Sequence, residues 1–177
     1  TRISDREVLM QRRLSDIGYE TGFVGKLHYW PPTTDFALST GFKQGLMHDG
    51  GPTDSYSDYV HWLQERAPRL AGNYRRCTQS SSGNPFVAEI PEELHETTWC
   101  GEMTREMLAG VAKTERPFFL FSSYWKPHPP FEVPNPWATM YDKMDIDLPS
   151  PETEESIKRY PEPVQKMILR ADRPAFK

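Results

Sequence analysis

Near the start of the chain, Val8, Leu9, Leu14 and Ile17 recur at helical spacing along a segment from about Asp5 to Ile17. Ser4 or Asp5 is placed to cap that helix, and Gly18 to end it. Thr21-Gly22-Phe23-Val24-Gly25 follows, too short for a second helix and patterned as a buried strand. From Leu27 to Thr53, glycine and proline interrupt every period, and the segment reads as one long loop of the kind that usually carries function. A helix is predicted from Ser55 to Glu65, with Tyr56, Tyr59, Val60 and Leu63 on its apolar stripe. Gly72 to Pro91 is polar, includes Ser80-Ser81-Ser82-Gly83, and reads as a surface excursion. His95 to Lys113 is a third helix, with Trp99, Met103, Met107, Leu108 and Val111 near its apolar face. Pro117 then opens Phe118 to Tyr124, a run expected to be a strand buried on both faces, as in parallel sheets.

Twice, then, a helix feeds a buried strand that runs into a loop of polar and aromatic residues. Helix–strand alternation predicts an α/β fold. In open α/β sheets ligands bind beyond the carboxyl ends of the strands, so the two loops after the strands are where chemistry is sought. At 177 residues the chain holds one domain or part of one. Ten of the 17 prolines lie from Pro127 onward, so that end must contain much extended or turning chain. A formal charge of −4 offers no basic face for nucleic acid. No apolar run approaches the roughly 20 residues of a membrane span. Cys77 and Cys100 have no metal-type spacing; they read as buried free thiols, with a bridge between them as the alternative.

The first loop begins Gly25-Lys26-Leu27-His28-Tyr29-Trp30-Pro31, and the second reads Tyr124-Trp125-Lys126-Pro127-His128-Pro129-Pro130-Phe131. Each presents a lysine and a histidine two residues apart, directly after a strand. In extended chain such residues point the same way, so each pair can converge on one ligand. Lysine supplies a point charge with three donors, and histidine a donor that can also carry charge. Two pairs facing one cleft suit a tetrahedral oxyanion, sulfate or phosphate. One such pair alone is common and usually a solvated strand end; its repetition at equivalent positions carries the argument.

Gly18-Tyr19-Glu20-Thr21-Gly22-Phe23-Val24-Gly25-Lys26-Leu27-His28 resembles the sulfatase segment G-Y-x-T-x-x-x-G-K-W-H. Pro117-Phe118-Phe119-Leu120, with Pro127-His128-Pro129-Pro130-Phe131, resembles the later P-F-F-L strand and P-H-x-P-[FY] loop of that family, and Gly41-Phe42 its G-F pair. The resemblance implies an alkaline phosphatase/sulfatase-like mixed sheet flanked by helices, incomplete in this chain. Residues 1–148 would be the central part of the catalytic domain, and 149–177 a loop and helical continuation. It also implies hydrolysis of a sulfate ester, possibly a sulfated sugar, by a formylglycine beside bound calcium. Lys26 would grip sulfate oxygens and the nucleophile's hydroxyl, and His28 would orient or deprotonate that hydrate. His128 would favour departure of the leaving group, with Lys126 nearby. Trp30 and Trp125 would contact the organic group, ordinary packing being the plainer reading for each and for Trp137.

Parts of the family pattern do not appear. No cysteine precedes Gly25, and neither Cys77 nor Cys100 opens the C/S-x-P/A-x-R motif of the nucleophile. The paired metal aspartates, the later metal pair and the later sulfate lysine are not found, so calcium ligands and formylglycine are expected outside this segment. The expectation is an interior piece of a longer enzyme, inactive alone, with the remainder of the parent chain as its partner. Two alternatives stay open: a phosphodiester or phosphonate ester hydrolase of the same superfamily, and a non-catalytic relic that grips sulfated glycans. Localisation is not legible; the family implies a secreted, periplasmic or lysosomal setting. His48 in His48-Asp49-Gly50-Gly51 reads as a solvated histidine in a turn, His61 and His95 as structural, and Glu152 to Glu155 as a solvated linker or helix cap.

Overall fold

A computed structural model of the chain describes residues 3–4, 6–50, 56–77, 86–88, 90–129, 131–147, 150 and 153–170. The chain forms two compact units, Thr1–Tyr141 and Asp142–Lys177.

In the first unit, helix α1 (Met10–Asp16) leads into strand β1 (Glu20–Gly25). The helix starts later than its stripe suggests. Ser4 Oγ accepts from the Arg6 N–H and its carbonyl from the Glu7 N–H, a local turn that competes with a helical start. Asp5 lies outside the described residues. Gly18, at φ 96°, ends the helix as expected. The stretch from Leu27 to Thr53 is not one loop: it holds α2 (Thr34–Ser39), capped by Thr33 Oγ1, and β2 (Gln44–Met47). With four residues, β2 has too little pattern of its own. It is fixed by parallel pairing to β1, from Gly22 opposite Gln44 to Gly25 opposite Met47.

Helix α3 (Asp58–Arg66) buries Tyr59, Val60 and Leu63 completely, while Tyr56 of the expected stripe is half exposed. The predicted surface excursion contains the end of α4 (Pro68–Cys77) and the short strand β3 (Phe86–Val87). Ala67 and Ala71 seat α4 against the core beside α3, an anchor too small to stand out in a polar segment. The Ser80-Ser81-Ser82-Gly83 stretch lies outside the described residues. Helix α5 (Glu96–Val111) packs on β1 and on β4 (Phe118–Ser123). Strand β5 (Glu132–Val133) pairs in parallel with β3.

The three-stranded sheet has the order β2-β1-β4, all parallel, with Glu20 opposite Phe118 and Gly25 opposite Ser123. Successive residues of β1 feed opposite faces. Phe23 joins Ala37, Phe42 and Met47 on one side, and Val24 joins Tyr59, Val60, Leu63, Trp99 and Cys100 on the other. β4 departs from its expected burial, since Phe118 and Phe121 are 44% and 43% exposed. Among the described strands it pairs only with β1, so its outer edge and part of one face stay open. In the second unit, Thr153 closes a capping box on α6 (Glu154–Ile157), which precedes α7 (Glu162–Arg170). Glu154 and Glu155 are exposed in that first turn; Glu152 lies outside the described residues.

Candidate functional site

The three parallel strands end together. At Gly25 (φ 98°) a Cβ would lie 1.9 Å from the Ser123 carbonyl oxygen, so only glycine permits β1 and β4 to approach there. Just beyond, the Lys26 N–H donates to Ser123 O at 3.0 Å and the His48 N–H donates to Gly25 O at 3.1 Å. The loops after β1, β2 and β4 therefore leave the sheet side by side, at its carboxyl edge.

Trp125 is the hub of these loops. The Lys26 ammonium stands 3.9 Å from the centroid of its indole, a cation–π contact. The His128 ring lies 4.3 Å from it at 31°. Gly50, at φ 60°, packs so closely that a Cβ there would sit 2.0 Å from the indole. His128 Nδ1 donates to the Pro129 carbonyl at 2.7 Å, which leaves Nε2 as the ring atom to exchange a proton with a ligand. His28 is exposed, in the left-handed region at φ 57°, and its backbone N–H is held by Asp49 Oδ1 at 3.1 Å.

The residues meet in pairs other than those the spacing suggests. Neither lysine–histidine stretch is extended: His28 turns left-handed, and the His128 N–H closes a turn onto Trp125 O at 3.1 Å. Lys26 and His128 meet at Trp125, while Lys126 turns inward. Its ammonium lies 3.4 Å from Glu96 Oε1 and 3.7 Å from Glu132 Oε2, with 13% of its side chain exposed. Trp30 is largely exposed. Pro130 of the second motif lies outside the described residues.

His48 is not a solvated turn residue; it is 3% exposed. Its Nδ1 is 2.9 Å from Ser57 Oγ and its Nε2 2.5 Å from Glu96 Oε2. Tyr59 and Trp99 pack against its ring. His48 directly follows β2, a strand with too little local pattern to signal the burial of the residue after it. Glu96 thus bridges His48 and Lys126 beneath the loops, and β5 brings in Glu132. Two carboxylates this deeply buried require such partners. Burial, then the charges of Glu96 and Glu132, hold the Tyr59 hydroxyl far above its usual value.

His95 caps α5, as its position at the helix start suggests: Nδ1 accepts from the Thr97 N–H at 3.2 Å. Burial pushes its pKa down, with Lys126 and His48 acting the same way and Glu96 and Glu92 opposing. A histidine depressed in the folded state binds its proton more readily when unfolded, so folding stability rises with pH across that window. Unfolding free energy is therefore expected to fall as pH drops through the ordinary histidine value of 6.5. Urea titrations of the full-length protein at a series of pH values test this; His95→Asn, which keeps a capping side chain, should flatten that limb.

Comparison with known proteins bears on this arrangement directly: the family model named Sulfatase matches residues 3–172. The chain belongs to the sulfatase family. It is 28% identical over 153 residues to an arylsulfatase of Clostridium perfringens, covering 77% of this chain and 30% of that protein. Over 161 residues it is 26% identical to the multifunctional alkaline phosphatase superfamily protein PehA of Trinickia caryophylli, covering 83% and 31%. An arylsulfatase of Klebsiella aerogenes matches at 24% over 142 residues, covering 79% and 28%. This sulfatase chain thus spans about a third of the length of these relatives.

Calcium and formylglycine belong to the family's chemistry, and the described residues fit neither. No three His, Cys, Asp or Glu side chains among them gather as a metal ion needs. Cys100 is a free, buried thiol set 3.8 Å from Val24 O and Ser123 O, its pKa raised chiefly by burial. The Cys77 side chain lies outside the described residues.

Proposed function

We propose that this chain is the anion-gripping segment of a sulfuric ester hydrolase and works within a longer protein. The observation that carries the reading is the convergence of Lys26 and His128 on Trp125 at the carboxyl ends of three parallel strands, with His28 in the same loop as Lys26. Lys26 attracts the sulfate group and stabilises the charge that spreads over its oxygens as the ester bond lengthens. Stacking on Trp125 restricts the lysine stem, so less freedom is lost when it binds. The departing ester oxygen needs a proton, and His128 supplies it from Nε2, its Nδ1–H being engaged by Pro129. His28, exposed at the lip of the first loop, is a second proton carrier; Trp30 and Trp125 flank the ester's organic part. Lys126 acts on the anion at longer range, its charge being shared with Glu96 and Glu132. The 177 residues alone are expected to be inactive.

A second reading has support of its own. The superfamily protein from Trinickia caryophylli, described as multifunctional, covers the largest share of this chain among the relatives above. A phosphodiester or phosphonate ester would use the same cations. The full-length protein should be assayed with nitrophenyl sulfate, bis(nitrophenyl) phosphate and nitrophenyl phenylphosphonate. A higher kcat/KM on the sulfate ester supports the first reading, and a higher value on either phosphorus ester replaces it. Binding of inorganic sulfate without turnover of any ester would leave a non-catalytic binding module.

A further inference from the structure

Strand β2 ends one residue before His48, and the bond from the His48 N–H to Gly25 O carries its pairing with β1 one step further. The His48 side chain is held by Ser57 and Glu96. The turn that follows therefore starts from a fixed point, and its next two residues reach the other two loops in succession. Asp49, partly buried, accepts the His28 N–H on Oδ1 at 3.1 Å. Gly50 packs on Trp125, where a Cβ would stand 2.0 Å from the indole. Among the described residues, His28 and Glu115 are the two non-glycine positions with positive φ, at 57° and 56°. Glu115 ends the short 3-10 helix Ala112–Thr114, where a left-handed residue is a common stop. His28 ends no helix, and Asp49 meets its peptide N–H. Left-handed backbone is uncommon for a residue with a Cβ; it persists where the surroundings enforce it, and such positions cluster at functional sites.

We propose that Asp49 is a positioning residue for His28, holding its peptide group so that the imidazole projects toward the anion gripped by Lys26; the proposal rests on the sulfate-ester reading above. Rotation about the N–Cα bond carries the ring with it, so the direction of the imidazole is fixed only while φ is. Without Asp49 on its N–H, His28 relaxes to the negative φ that a residue with a Cβ prefers, and the ring swings out of line. The carboxylate has no evident use as a ligand for the substrate, since it repels an oxyanion. Turned onto a backbone donor, it serves instead as an acceptor that fixes the first loop. The same turn seats Gly50 on Trp125, so the loop after β2 holds a group from each of the other two loops.

The test uses the full-length protein, with turnover of nitrophenyl sulfate, inhibition by inorganic sulfate, and circular dichroism to confirm the fold of each variant. Asp49→Ala should lower kcat about 10–100-fold, because a small displacement of a catalytic group costs up to about 10². Inhibition by sulfate should change less than about threefold, since Lys26 and Trp125 keep their contact. Asp49→Asn keeps an acceptor without the charge and should recover kcat to within about threefold of the unaltered protein. His28→Asn provides the background for a double variant, because asparagine tolerates left-handed backbone. There Asp49→Ala should cost less than about twofold more, as residues that act through one group do not add. An additive loss in the double variant, or Asp49→Asn as slow as Asp49→Ala, overturns the proposal. Crystal structures of the full-length protein and its Asp49→Ala variant give a readout independent of turnover: φ at His28 should be positive in the first and negative in the second. A positive value in both overturns the proposal whatever ester is cleaved. The sulfate-ester reading fails by a different result, faster turnover of a phosphorus ester, and the same set of variants is then read on that ester.

Discussion

Lys26→Ala is expected to lower kcat/KM for a sulfate ester by about 10²–10³-fold in the full-length protein, the loss typical when one preorganised donor to a developing oxyanion is removed. The Trp125 indole would lose its cation but keep its contacts with His128 and Gly50, so the fold should be little affected. Lys26→Arg separates charge from geometry. Guanidinium also stacks on indole but presents a planar fork in place of a compact ammonium. Restored sulfate binding with incomplete recovery of kcat would show that the position of the ammonium matters beyond its charge. If Lys26→Ala falls short of about a tenfold loss while the protein stays folded, Lys26 is not the principal grip and the proposed mechanism is wrong.

Glu96→Ala is expected to be the most damaging single change to stability, costing about 3–5 kcal/mol, as when one partner of a buried charge pair is removed. The carboxylate is 2% exposed and serves His48 through one oxygen and Lys126 through the other. Its loss removes one of the carboxylates around the Lys126 ammonium, Glu132 standing 3.7 Å away, and strips an acceptor from a buried imidazole. The urea midpoint should fall steeply with the slope unchanged. Glu96→Gln keeps the shape and an acceptor, and should cost less than alanine. A loss below about 1 kcal/mol for Glu96→Ala would mean that water replaces the carboxylate and that the network is not a buried one.

The residues of the cation cluster and of the buried ion network are not equally legible in the sequence. Lys26, His28, Trp125 and His128 could be singled out because each follows a strong, local strand signal. Glu96, Glu132 and His48 could not. Each looks like an ordinary polar residue in its own neighbourhood, and each acquires its role through a partner far along the chain: His48 and Glu96 are 48 residues apart. Lys126 shows the difficulty from the other side. Its local setting matches that of Lys26, yet the carboxylates of α5 and β5 draw it inward, and no spacing rule reports a competing partner.

By itself the sequence determined the α/β class, β1 and β4, the two loops that carry cations after strands, and the apolar stripes of α3 and α5 apart from Tyr56 and Leu108, which are 48% and 41% exposed. These follow from side-chain period and from glycine and proline placement, which act over a few residues. Tertiary structure alone decided that four weakly patterned residues become β2, that β4 keeps one edge open, and that the two lysines part company. Parallel pairing and buried ion pairs are made between segments dozens of residues apart, and their free energy comes from desolvation and partner geometry that exist only once the chain has folded.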